Sequence, residues 1–151
     1  MGKYKIEKRT FELSKLEIVK LVFYKDKILP VARSSPLGYF NLGTIQIDAL
    51  FYKFTKSEQK SIIYHEFWHY KNNLSFMFKF EIMNPKFLFS KKAVSYQQEF
   101  EADKFAVERN GKTPTLAMLL RLQKWVKKGI IPEDSERHPS LKERIKRVEK
   151  M

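Results

Sequence analysis

Two patterns of apolar and polar positions divide the chain. Over roughly the first third the pattern suits extended backbone. Ile18-Val19-Lys20-Leu21-Val22-Phe23-Tyr24 is rich in β-branched and aromatic residues, and Thr44-Ile45-Gln46-Ile47-Asp48 alternates like a half-buried strand. Lys25-Asp26-Lys27 and Ser34-Ser35-Pro36-Leu37-Gly38 read as turns. Residues 3–16 fit either strand or helix. From Thr55 the period becomes helical. Thr55-Lys56-Ser57-Glu58 is a capping box, in which the Thr55 hydroxyl accepts from the Glu58 amide and the Glu58 carboxylate reaches back. The helix it opens is expected to run to about Asn72. A second is expected from Lys91 to Asn110, stopped by Gly111, and a third from the Thr113-Pro114 cap to about Lys128. A short basic helix, Leu141 to Lys150, follows His138-Pro139-Ser140.

These elements predict an α+β fold, a small twisted N-terminal sheet (about residues 1–54) followed by helices (about residues 55–151) within one domain. With 43% hydrophobic residues, including 13 Phe, 7 Tyr and 2 Trp, the chain has material for a core and is not of disordered composition. It has no cysteine, which excludes disulfides, thiolate metal sites and cysteine nucleophiles. The apolar stretch from Leu74 to Ser90 is interrupted by Lys79, Glu81 and Pro85, so no membrane span is expected, and a cytoplasmic protein is the default reading. The net charge of +13 comes from lysines scattered along the chain rather than from one block. That favours a solvated surface over a nucleic-acid site and leaves room for weak contact with an anionic membrane surface.

One constellation carries chemistry. His65-Glu66-Phe67-Trp68-His69 lies inside the first helix. Residues four apart on a helix are displaced by one turn and about 40°, so both imidazoles can face one metal ion. Glu66, offset by one position, is poised to take a proton from a water instead. Only three histidines occur in the chain, so a carboxylate is the better candidate for a third ligand. In the second helix Glu99, Ala102, Asp103 and Ala106 share one face. The alanines allow close approach of another helix, Glu99 can reach the metal, and Asp103 can accept a hydrogen bond from a liganding imidazole. Glu101 points about 200° away from Glu99 and is expected in solvent.

His65-Glu66-x-x-His69 followed by Glu99-x-x-x-Asp103 resembles the HtpX and CAAX prenyl protease family of gluzincin metallopeptidases. The tail His138-Pro139-Ser140-Leu141-Lys142-Glu143-Arg144-Ile145 is similar to the segment that closes that family, and Gly43 to Ile47, preceded by Asn41, resembles its edge strand over the active-site cleft. The resemblance implies one zinc per chain, ligands at His65, His69 and Glu99, a base at Glu66, Asp103 behind the ligands, and His138 facing the cleft. It also implies a peptide or protein substrate docked along Asn41, Thr44, Ile45, Gln46 and Ile47. Here His138 would hydrogen-bond the oxyanion of the tetrahedral intermediate. The expected activity is hydrolysis of peptide bonds by a zinc-bound water that Glu66 activates. The chain lacks the family's membrane helices and is closest in size to soluble minimal gluzincins, in which a terminal segment can block the cleft. The Glu99 to Ala106 run also resembles the ImmA/IrrE type of zinc peptidase. From a different class, a basic nucleic-acid- or partner-binding protein with a non-catalytic zinc site is the competing reading.

Overall fold

Helical structure starts where the capping box places it. In the computed structural model the Thr55 amide donates to Glu58 Oε2 at 2.7 Å, and the Glu58 amide lies 3.3 Å from Thr55 Oγ1. The structure describes the backbone of residues 6–14, 17–24, 32–34, 44–83, 91–133 and 138–151, and the side chains of residues 50–69, 71–72, 95–133 and 138–151. The helices are α1 (Lys56–Met83), α2 (Lys91–Asn110), α3 (Lys112–Lys127) and α4 (Leu141–Glu149), with a short 3-10 helix, Ala49–Lys53, ahead of α1.

Helix α1 runs on to Met83 rather than stopping near Asn72. Asn72 does not act as a terminator, because its side-chain amide donates to the Trp68 carbonyl of the same helix at 3.0 Å. Beyond it, Leu74 to Met83 contains neither glycine nor proline, and the first breaker is Pro85. Helix α2 matches its expected span and stops at Gly111, whose φ of 98° suits a residue without a Cβ. The same glycine caps α3, so Thr113 and Pro114 fall within the first turn and Thr113 is not the cap. Helix α4 opens on Ser140, whose hydroxyl accepts from the Glu143 amide at 3.2 Å.

The core is drawn from these elements. Phe51, Phe54, Ile62, Ile63, Phe67, Met118, Leu119, Trp125, Ile145 and Val148 form one buried cluster. Each fully buried side chain of this kind contributes about 1.5–3 kcal/mol. Ala102 and Ala106 are fully buried, so the backbone of α2 lies close against its neighbours. Polar bonds stitch the helices together. Ser61 and Thr115 hydroxyls meet at 3.0 Å, the Asn110 amide donates to the Ser57 carbonyl and to Ser61, and Arg121 pairs with buried Glu58 at 3.1 Å.

Ahead of residue 49 only the course of the backbone is described. It follows four extended segments, β1 (Ile6–Ser14), β2 (Glu17–Tyr24), β3 (Ala32–Ser34) and β4 (Thr44–Asp48), laddered in the order β1-β2-β4-β3. This does not make the α+β fold expected above. Among the residues whose side chains are described, 81% are helical and none lies in a strand, so the fold is helical. Alternating β-branched residues report extended backbone, whereas a structural layer needs apolar faces packed into a core. Here the described core comes from helical spacings of three and four. The expected exposed edge at Thr44–Asp48 is also corrected. Its backbone pairs on both sides, in parallel with Lys20–Tyr24 and antiparallel with Ala32–Ser34. No described helix is long and apolar enough to cross a membrane.

Leu119 is fully buried at the centre of the cluster. Leu119→Ala is expected to lower the free energy of unfolding by about 2–5 kcal/mol. Urea titration followed by circular dichroism checks this, and a loss below about 1 kcal/mol would show that the cluster is not the core.

Candidate metal centre

His65 and His69 are one turn apart on α1, and their Nε2 atoms face each other at 3.1 Å. Glu99, on α2, lies across from them. Its Oε1 is 3.0 Å from His69 Nε2 and its Oε2 is 3.3 Å from His65 Nε2. All three residues are buried, with relative exposures of 6%, 8% and 4%. Among the described residues this is the group of histidines and acids able to hold a metal ion.

Helix packing brings the three together. His65 and His69 fall on the side of α1 that meets α2, and Ala102 and Ala106 let α2 approach until Glu99 reaches the imidazoles. Asp103, one turn beyond Glu99 and 1% exposed, accepts from His65 Nδ1 at 2.9 Å. With its proton on Nδ1, His65 turns its Nε2 lone pair toward His69 and Glu99. Two imidazole nitrogens and two carboxylate oxygens then converge within 3.0–3.3 Å. Two ligands on a tetrahedral zinc, bonded at about 2.0–2.1 Å, stand about 3.3 Å apart, so the spacing and the donor types fit that ion. Glu99 Oε2 is also buried without an aligned hydrogen-bond donor.

Arg144 completes the surroundings. This arginine, 7% exposed, comes from α4, where Leu141, Arg144, Ile145 and Val148 make the inward face. Its Nε and Nη2 donate to Asp103 Oδ2 and Oδ1 at 2.8 and 2.7 Å. Its Nη1 lies 3.1 Å from Glu99 Oε2, as an ion pair without hydrogen-bond alignment. The sequence reading gave Arg144 no role. The available signal was an arginine on the apolar face of a short amphipathic helix, where burial demands an anionic partner.

Other expected residues have clear positions. His138 lies at the rim, its side chain 45% exposed, with Nδ1 3.1 Å from Glu99 Oε1. It stands outside the group that can share an ion. Glu66 is half-buried on α1. Glu101 is half-buried rather than in open solvent, and accepts from Gln97 of its own helix at 3.0 Å. Asn41 and the side chains of Thr44, Ile45, Gln46 and Ile47 lie outside the described residues. In the basic tail, Ile145 and Val148 build α4 into the core.

Burial and charge oppose each other throughout the cluster. Burial alone would raise the Glu99 and Asp103 carboxyls, but the Arg144 guanidinium, followed by His65, holds Glu99 well below the usual carboxylate range and lowers Asp103 as well. Burial would lower His65, yet the field of Glu99 and the bond to Asp103 outweigh it and raise the imidazole to about 10. Burial likewise works against the Arg144 cation, and Asp103 and Glu99 overcome it, raising Arg144 above its ordinary value.

No known protein family matches the chain, and comparisons with curated proteins and with solved structures find no match either.

A raised imidazole has a defined consequence for the metal-free protein. His65 contributes stability that is complete below its unfolded value of 6.5 and is lost as pH rises toward about 10. After treatment with a chelator, the urea midpoint is therefore expected to fall between pH 6.5 and 10, and to fall less in His65→Asn. A midpoint that rises over this interval, or an equal fall in the variant, would refute the assignment. Bound zinc should flatten the dependence, because a metal takes the neutral ring.

Proposed function

We propose that the chain is a zinc-dependent metallopeptidase of the gluzincin type, with His65, His69 and Glu99 as ligands and Glu66 as general base. The reading is supported above all by the convergence of the three buried donors with Asp103 behind His65, beside a glutamate at the base position of the same helix. Three protein ligands leave a tetrahedral ion one position short, which is the plan of a catalytic rather than a structural zinc site. A zinc ion held there supplies Lewis acidity toward a peptide carbonyl and toward water.

The protein groups divide the remaining work. Glu66 takes the proton of the attacking water and passes it to the leaving amine, the usual task of a carboxylate at this position. Asp103 holds His65 in one tautomer and one orientation. His138, at the rim with Nδ1 3.1 Å from Glu99 Oε1, donates to the oxyanion that forms as the carbonyl is attacked. The substrate is a peptide or protein.

Two measurements test the reading. Elemental analysis of purified protein should find about one zinc per chain, lost in His65→Ala, His69→Ala and Glu99→Ala and kept in Glu101→Ala. Full occupancy in Glu99→Ala would overturn the ligand set. Glu66→Gln should keep zinc and fold while cleavage of a peptide library falls at least about a hundredfold. Cleavage at the wild-type rate in that variant would remove Glu66 from the mechanism.

A further inference from the structure

The two oxygens of Glu99 face different charges. Both lie near an imidazole Nε2, but Oε2 also has Arg144 Nη1 at 3.1 Å, whereas the further neighbour of Oε1 is His138 Nδ1, also at 3.1 Å. Arg144 cannot easily swing aside, since its Nε and Nη2 are both engaged with Asp103 at 2.8 and 2.7 Å and the residue is buried. Two cations sharing one carboxylate oxygen repel each other, and in a buried site that repulsion is poorly screened. The lower-energy division gives one oxygen to the guanidinium and the other to the metal.

On this basis we propose that Arg144 is a positioning residue that restricts Glu99 to ligation through Oε1 alone, with Oε2 kept on the guanidinium. The inference rests on the reading of the site as a zinc centre and adds to it. A bidentate glutamate with two histidines would fill four positions and leave less room for water and substrate, whereas one-oxygen ligation keeps the fourth position open. The same guanidinium holds Asp103 against His65, so one side chain sets the orientation of two ligands. Lysine cannot substitute for it. Its single ammonium is a point charge, and it cannot span Asp103 and Glu99 together with a planar array of donors.

The test uses full-length protein loaded with zinc, or with cobalt as a spectroscopic stand-in. Zinc K-edge absorption of the wild type should show two nitrogens and a single glutamate oxygen in the ligand shell. In Arg144→Lys the second oxygen should move in, the visible bands of the cobalt form should weaken and shift toward higher coordination, and zinc affinity should drop about ten- to a hundredfold. Glu101→Ala, which removes a carboxylate of the same helix that only accepts from Gln97, should keep the wild-type cobalt spectrum. Bidentate Glu99 in the wild type overturns the proposal, as does an Arg144→Lys protein that folds and matches the wild-type cobalt spectrum. If Arg144→Lys does not fold, the wild-type zinc edge decides alone. Failure of the wild type to take up zinc overturns the metal reading itself, and so is distinct from bidentate binding.

Discussion

Two carboxylates one turn apart on α2, both nearly inaccessible to water, repel each other and lose the hydration that would stabilise them. Glu99 and Asp103 are tolerable chiefly because Arg144 stands between them, with two hydrogen bonds to Asp103 and an ion pair to Glu99. The rest of the architecture follows from delivering that arginine. Helix α4 is short and strongly two-faced. Its apolar residues Ile145 and Val148 bury themselves in the common core, and that anchoring carries Arg144 inward between them. Removing one partner from such an arrangement leaves an unpaired buried charge, which costs about 3–5 kcal/mol. The arginine thus links the stability of the helical body to the electrostatics of the site.

The geometry around His65 shows how the charges are ordered. Its Nδ1 bonds to Asp103, its Nε2 looks toward Glu99 and His69, and the carboxylates are in turn held by Arg144. Without a metal, a proton on His65 balances the second carboxylate, which is why the imidazole is so strongly raised. With a divalent cation that proton becomes redundant. In the zinc form proposed above, the exchange at these atoms would be a proton for a metal.

Much of the site was legible because its parts are local. The His65-Glu66-x-x-His69 spacing, the Glu99 and Asp103 face and the flanking alanines each reside within one or two helical turns, where a period of 3.6 residues dictates who faces whom. The Thr55–Glu58 cap and the Gly111 stop were legible for the same reason. What escaped was non-local. Arg144 pairs with residues far away in sequence, and its place on the apolar face of α4 signals burial without telling which carboxylates receive it. The reach of α1 to Met83 depends on a long apolar run that reads equally well as loop or helix once the site is passed. The α+β expectation took alternation in Ile18–Tyr24 and Thr44–Asp48 as a packed layer, although alternation speaks only to backbone extension. The edge position of Thr44–Asp48 depends on which segments pair, and pairing is set by chain topology rather than by the strand's own residues.

The span between His65 and Arg144 also bears on how the protein is made. These residues are separated by 79 positions, with Glu99 and Asp103 between them. A nascent chain that has emerged only through α3 already holds Phe54, Ile63, Phe67, Met118 and Leu119, enough to begin collapsing. It also carries both carboxylates and both imidazoles, but not Arg144. Until α4 docks, Glu99 and Asp103 lack Arg144, the larger of the charges that offset their burial. The pairings of Arg144 with Glu99 and Asp103 thereby wait for α4, and a nascent chain that stops short of it cannot close the cluster in its final form.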